Sequence, residues 1–172
     1  FKGAAADYSI VLKEEPQNMR LRRERAAMNM KLGHYNLAVL DYNLYLKEDS
    51  LNLEIMYNRG QCYEYVKLYG NAIVDFNQII RKTPNDLEAR YHRAICYYQS
   101  GEKDKAAAEC DSILSINRFY AEAFNLLGAI SLEKGDYKDA IFYLNKAIED
   151  RPNYLEPYIN RYQAYLLGED YA

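Results

Sequence analysis

The strongest constraint in this sequence is a spacing of 34 residues at which small side chains return. Alanine returns at this spacing five times, as Ala4, Ala38, Ala72, Ala106 and Ala140. A second small column in the same frame consists of Ala26, Gly60, Ala94 and Gly128. A period of this length is typical of proteins in which similar units stack and bury their apolar faces against each other. We therefore expect a row of repeated units.

The frame divides the chain into four full units and two partial ones. The full units are 19–52, 53–86, 87–120 and 121–154, and the partial units are 1–18 and 155–172. Apolar residues within a unit follow helical spacing in two stretches, so each full unit is expected to be an antiparallel pair of helices, A and then B. The partial units would be a lone helix B at the start and a lone helix A at the end. Since the chain opens within a unit and without Met, we expect it to be a piece of a longer array.

These columns resemble the tetratricopeptide repeat family. In the second unit the matching residues are Gly60 and Tyr63 in helix A, Ala72 and Phe76 in helix B, and Pro84 after it. The resemblance covers the whole chain and implies an all-α fold, a right-handed superhelical solenoid of antiparallel helix pairs. In such a solenoid the A helices form a concave wall, which usually holds a peptide or a segment of another protein.

Tyrosines and amides dominate the helix A face that the family points into its groove. Amides both donate to and accept from an extended backbone, and tyrosines add rigid contact area. We therefore expect a peptide groove, and the alternative is a polar helix face that contacts nothing. The expected groove residues are Arg20, Arg23, Tyr57, Asn58, Gln61, Tyr65, Tyr91, His92, Tyr98, Gln99, Asn125, Asn160 and Gln163.

Two of these residues, Arg20 and Arg23, are candidates for holding an acidic group of the ligand, the alternative being a solvated basic helix end. The family's chaperone-tail-binding members hold their ligand with a carboxylate clamp of five side chains on three A helices. This chain offers Arg23, Ala27, Asn58, and then Glu88 with His92 at those places, and only two of the five match. The sequence therefore disfavours binding of chaperone tails.

Arginine and acid vary together between the units. Helix A has arginine at its seventh place and helix B has an acid at the twenty-third place of the unit in three units, and in the fourth unit both are neutral, as Leu127 and Tyr143. This pattern predicts a structural salt bridge inside each of the first three units. The predicted pairs are Arg25 with Asp41, Arg59 with Asp75, and Arg93 with Glu109.

Composition argues against several other functions. A net charge of −3 does not favour nucleic-acid binding, and no apolar run reaches the 18 residues needed for direct insertion into a membrane. Three cysteines without CxxC spacing predict neither a disulfide framework nor a metal site, and no cofactor or catalytic motif is present. We therefore expect a protein or peptide partner and no enzymatic activity. The alternative function is a structural spacer whose terminal helices dock end to end in head-to-tail self-association.

Overall fold

The computed structural model describes residues 2–168, and these residues form ten α-helices and no strand. Phe1 and residues 169–172, which belong to the two predicted partial units, lie outside the described residues. The ten helices are α1 (Lys2–Glu14), α2 (Met19–Lys31), α3 (Tyr35–Glu48), α4 (Leu53–Tyr65), α5 (Tyr69–Lys82), α6 (Leu87–Gln99), α7 (Lys103–Ile116), α8 (Ala121–Lys134), α9 (Tyr137–Asp150) and α10 (Leu155–Leu167).

The helices fall into two compact units along the chain, Phe1–Ala89 and Arg90–Ala172. From here on, first and second unit mean these two parts of the chain, and the 34-residue units are called repeats. In the first unit each helix from α1 to α5 packs against the next one in sequence. The crossing of α4 with α5 is close because Gly60 lies directly against the buried ring of Phe76. A Cβ at residue 60 would stand 2.9 Å from the Cζ atom of that ring, so glycine is needed for this approach.

The second unit uses the same crossing with different side chains. Helix α8 packs against α7, α9 and α10, and α9 also contacts α10. Gly128 of α8 faces Leu144 of α9, whose Cγ would lie 2.5 Å from a Cβ at residue 128. Ala140 and Leu144 form a buried cluster with Ala164 of α10. The columns of small residues therefore mark the places where helix backbones approach each other.

Local signals in the sequence explain where the helices begin and end. The side-chain oxygens of Asn18 and Asn52 accept hydrogen bonds from the third backbone N–H that follows each of them, which caps α2 and α4. Between the two helices of a pair the backbone turns through a left-handed residue, with φ of 75° at Gly33. In the second full repeat this place is taken by Lys67, with φ of 62°. Among the described residues, no helix has the length and apolarity required to cross a membrane.

Candidate functional site

The A-helix face of the first unit contains a cavity between α2 and α4. Its volume is about 390 Å³, and apolar and polar side chains of α2, α3 and α4 form its walls. Two residues that the sequence places in the groove, Asn58 and Tyr65, line it. The complete lining is Ala27, Met30, Lys31, Tyr35, Tyr42, Asn58 and Tyr65.

An exposed pair of stacked rings forms one edge of this cavity. The rings of Tyr35 and Tyr65 are 4.3 Å apart between centroids and lie within 5° of parallel. Tyr65 is 61% exposed, so its ring has a large free surface although its position is fixed by the stack. Rigid aromatic surface of this kind can bind an apolar or planar group at a small cost in side-chain entropy.

A second cavity of the first unit, about 440 Å³ in volume, lies beside Tyr57. The ring of Tyr57 packs edge-on against Phe76 at 6.1 Å, and burial raises the pKa of its hydroxyl to about 12. Gln61 donates a hydrogen bond to that hydroxyl over 3.4 Å. Three acidic side chains also line the cavity, so its electrostatic potential favours a cation; they are Glu54, Asp86 and Glu88.

The two arginines expected at the groove, Arg20 and Arg23, lie on the first two turns of α2 and are exposed. Arg23 contacts its neighbour Glu24 at 3.1 Å, an exposed pair that contributes little to stability. Neither arginine lines the cavity between α2 and α4; Lys31 at the other end of α2 does so. Position 31 belongs to the same 34-residue column as Tyr65 and Gln99, which is the signal that could have identified it.

In the second unit, the groove candidates on α6 differ in their surroundings. Tyr91 is half-buried, with ring centroids at 5.8 Å from Tyr120 and 6.2 Å from His92, and burial raises its pKa. Tyr98 is held by its hydroxyl, which donates to Glu133; burial and this bond raise the pKa of Tyr98 to about 12.

Amide candidates of the second unit form a short hydrogen-bonded chain. Asn160 of α10 donates to Asn125 of α8 over 3.0 Å, and Asn125 donates to the Tyr154 hydroxyl over 3.2 Å. Gln99 and Gln163 are exposed. These two hydrogen bonds therefore link the A helices α8 and α10, and they leave part of the hydrogen-bonding capacity of each amide for a ligand.

Each of the three arginine and acid pairs lies within one repeat. Arg25 donates to Asp41 through Nε and Nη2, both at 2.7 Å, and Arg59 donates to Asp75 in the same way at 2.8 and 2.5 Å. In the second unit, Arg93 donates to Glu109.

Two of the three acids have a second arginine that sequence reasoning missed. Arg22 lies 3.4 Å from Asp41, and Arg90 lies 2.6 Å from Glu109. Both occupy the fourth place of helix A, and position 56 between them in the series is Met56. The sequence contains a signal for these second contacts, because both repeats that have the extra arginine also have an acid at the twenty-third place.

The cysteines of the chain are free and buried. Burial raises the pKa of both the Cys62 and the Cys110 thiol to about 12, so at neutral pH both are protonated and unreactive. The described residues contain no group of three or more side chains suited to a metal ion.

Comparison with known proteins agrees with the helix pairs. Sequence models described as tetratricopeptide repeat match residues 67–130 and 121–154, which together span just over half of the chain. The chain belongs to the tetratricopeptide repeat family. This membership confirms the resemblance seen in the sequence, and family members are generally non-enzymatic scaffolds.

Solved structures of tetratricopeptide repeat proteins are similar to most of the chain and confirm the all-α solenoid fold. A crystal structure of MamA has a TM-score of 0.78 at 26% identity, over 88% of this chain and 89% of that one. A tetratricopeptide repeat protein from Parabacteroides merdae has a TM-score of 0.82 at 22% identity, over 96% and 66%. The first such domain of Spaghetti (RPAP3), bound to the HSP90 peptide SRMEEVD, has a TM-score of 0.64 at 19% identity, over 69% and 94%. No curated protein matches the chain in sequence.

Proposed function

We propose that this tetratricopeptide repeat protein is a non-catalytic interaction module that holds a peptide, or a segment of another protein, on its A-helix face. The observation that carries this proposal is the cavity between α2 and α4 with the stacked rings of Tyr35 and Tyr65 at its edge. The Spaghetti (RPAP3) domain, which shares the fold, holds an HSP90 peptide.

The chemistry of the two cavities in the first unit suggests what the segment carries. An apolar or aromatic side chain fits the cavity beside Tyr65, where Asn58 is available to the peptide backbone. A basic side chain fits the acidic cavity beside Tyr57. The five-residue clamp of the chaperone-tail binders is not part of this proposal because only two of its positions match.

A random peptide library displayed on phage tests the proposal with the full chain. Peptides enriched on the wild type should bind the double variant Tyr65→Ala, Asn58→Ala at least about tenfold more weakly. This loss corresponds to about 1.4 kcal/mol of binding free energy. The matched control is Leu51→Ala, which removes an exposed apolar side chain of the same unit outside both cavities. Equal affinity in the wild type and in the double variant contradicts the proposed site.

Tyr65 is a better probe than Tyr57 or Tyr91. Its ring is exposed, so replacing it by alanine removes contact area for a ligand while most of the fold's packing stays. The rings of Tyr57 and Tyr91 are half-buried as well as packed against other aromatic rings, so their removal would mix lost stability with lost binding more than removal of the Tyr65 ring, which contacts Tyr35.

End-to-end docking through the terminal helices is the second candidate, and the surface of α10 favours it. This helix exposes a stripe of large apolar side chains, Leu155, Ile159, Tyr162 and Leu166. Contiguous exposed apolar surface of this kind is typical of an interaction surface. A regular repeat crossing would set Tyr162 against Tyr8 of a second copy, and no small residue is present there to permit the approach.

Sedimentation velocity over a hundredfold range of concentration separates the two candidates. The groove proposal predicts a monomer throughout. A concentration-dependent dimer or fibre that Ile159→Lys abolishes would establish end-to-end docking.

A further inference from the structure

A cavity in the first unit lies where other repeats have a tyrosine. The column at the eleventh place of helix A consists of Asn29, Tyr63, Tyr97, Ser131 and Tyr165. Beside Asn29 the structure has a cavity of about 310 Å³, at the lower end of the range for small-ligand sites. It shares no lining residue with the cavity between α2 and α4.

The second full repeat shows how a phenol fills this place. Tyr63 is buried, and its hydroxyl donates to Oδ1 of Asn43 over 3.2 Å. The guanidinium of Arg59 stands 5.7 Å from its ring centroid. One repeat earlier, the residues at the places of Asn43 and Arg59 are Ser9 and Arg25.

Both of these equivalents line the cavity beside Asn29. The third full repeat supplies a further match, because Lys105 lies 5.5 Å from the ring centroid of Tyr97, and Leu37 at the corresponding place also lines the cavity. The places that surround a tyrosine ring in the second and third full repeats therefore line this cavity in the first full repeat, where residue 29 supplies no ring.

The fourth full repeat also lacks the tyrosine, and its helix B differs from that of the first full repeat at two places. Its helix B has Phe142 and Tyr143, with ring centroids 5.5 Å apart, and Phe142 is 57% exposed. At the same two places the first full repeat has Leu40 and the acidic Asp41.

The side chains that α1 contributes to the cavity wall are also small. Ala5 and Ala6 line it, and one repeat later the residues at these two places are Val39 and Leu40. Nothing in the first full repeat replaces the missing ring.

Polar groups in the cavity are placed for a hydroxyl. Ser9 Oγ donates to the carbonyl oxygen of Ala5 over 2.8 Å and accepts from Arg25 Nη1 over 3.2 Å. A serine oxygen has two lone pairs, so one remains to accept a phenol proton. Arg25 is fixed by its two bonds to Asp41, which holds its guanidinium in position against a ring.

We propose that this cavity is a binding site for a phenol ring, which takes the place of the tyrosine that Asn29 replaces. The ring stacks near Arg25, its hydroxyl donates to Ser9, and Leu37 and Leu40 cover its outer edge. The ring belongs to a tyrosine side chain of a partner or to a free small phenol, and this site is separate from the proposed peptide groove.

Titration of the full chain with para-cresol, followed by heteronuclear NMR, tests the proposal. We expect saturable shifts of the backbone amides around Ser9 and Asn29, with a dissociation constant on the order of 1 mM. Toluene, which lacks the hydroxyl, should bind several-fold more weakly. Absence of saturable shifts with para-cresol, or equal binding of toluene, would overturn the phenol site.

Two variants fill the cavity from different sides. Asn29→Tyr supplies the ring within the chain, so it should abolish the para-cresol shifts and raise the melting temperature by about 2–4 °C. Ala6→Leu introduces the residue found at the same place one repeat later, Leu40, and should weaken the binding of para-cresol at least fivefold. This second variant keeps the test decisive if Asn29→Tyr does not fold. Unchanged para-cresol binding in the folded variants contradicts the proposal.

A control and a second ligand complete the experiment. Leu51→Ala, which alters none of the three cavities, should leave the para-cresol shifts of Ser9 and Asn29 unchanged. Shifts confined to residues around Tyr65 would mean that para-cresol binds the groove and would overturn the phenol site, so failure of this site and failure of the groove proposal give different results. N-acetyltyrosinamide distinguishes the sources of the ring: binding comparable to that of para-cresol supports a tyrosine side chain, and binding of para-cresol alone supports a free phenol.

Discussion

The first two full repeats, 19–52 and 53–86, lie in the same compact unit and differ in instructive ways. Both have an arginine held by two bonds to a buried aspartate, and both set a small residue of helix A in the column that faces a fully buried aromatic residue of helix B. Three of their differences concern an ion pair, a cavity and a turn. Asp41 has a second arginine and Asp75 has none described; the first repeat has Asn29 where the second has Tyr63, and Gly33 where the second has Lys67.

The difference shows which positions the helix crossing constrains. Residues at the crossing keep their size because close-packed backbones leave no room for variation. Residues that fill the space between successive B helices vary more, and their loss leaves a cavity while the fold persists. Ligand sites can therefore arise in a repeat protein without any change at the helix crossings.

The largest expected effect comes from the buried ion pairs. Arg59→Met should lower the free energy of unfolding by about 3–5 kcal/mol, because it leaves the carboxylate of Asp75 buried without its cation. Arg25→Met should cost clearly less, since Arg22 remains 3.4 Å from Asp41. Urea denaturation of the two variants measures the difference.

The fourth full repeat provides the control for this comparison. It has Leu127 and Tyr143 where the second has Arg59 and Asp75. The double variant Arg59→Leu, Asp75→Tyr should therefore recover most of the stability that Arg59→Met loses. If the double variant is no more stable than Arg59→Met, the contribution of the pair is not electrostatic.

A pH-dependent effect of intermediate size distinguishes the same two repeats. Cys62 of α4 is buried and its pKa is raised to about 12 by burial, whereas Met28 at the same place of the first full repeat does not titrate. A thiol in the unfolded chain ionises near pH 8.5. Between about pH 9 and pH 12 the unfolded state loses this proton and the folded state keeps it, so stability falls as the pH rises.

For one thiol the decline is on the order of 1 kcal/mol per pH unit within that window. The contribution is fully present below pH 8.5. Urea denaturation at pH 8 and pH 10.5 should show a smaller decline in Cys62→Ala than in the wild type. Equal declines in the two proteins would mean that Cys62 ionises normally in the fold.

The next comparison concerns the turn between the two helices of a pair, where the expected change in the free energy of unfolding is about 1 kcal/mol. Lys67 adopts φ of 62° where Gly33 has φ of 75°, and a side chain in the left-handed region costs roughly 1–2 kcal/mol. Lys67→Gly should therefore raise the free energy of unfolding by about 1 kcal/mol, although glycine also loses more entropy on folding. Gly33→Lys is the reverse control and should be destabilising; thermal melting of both variants tests the prediction.

The fold could be predicted from the sequence because the 34-residue period fixes both the helical spacing and the places of close approach. Each column was tested four or five times within one chain, which replaced an alignment. The family matches and the similar solved structures confirm this part.

The cavities could not be predicted in the same way. Whether a side chain such as Asn29 leaves a cavity depends on the neighbours that could fill it, such as Ala5 and Ala6 of α1, and these belong to the preceding repeat. Tyr91 likewise packs against Tyr120, and in that 34-residue column only Tyr154 is another ring. The groove assignment made from the sequence stays a prediction for this reason.

The smallest expected effect concerns the outer surface of α3. Leu44 of the first full repeat is partly exposed, and the second has Gln78 at the same place. Leu44→Gln should change the free energy of unfolding by less than about 0.5 kcal/mol, because it buries no polar group and opens no cavity. The matched control is Leu46→Gln on the same helix; Leu46 is 7% exposed, and burying an amide there should cost at least about 2 kcal/mol. A large loss with Leu44→Gln would mean that this face of α3 is packed against another surface, and the two repeats would then differ in their outer contacts as well as in their cavities.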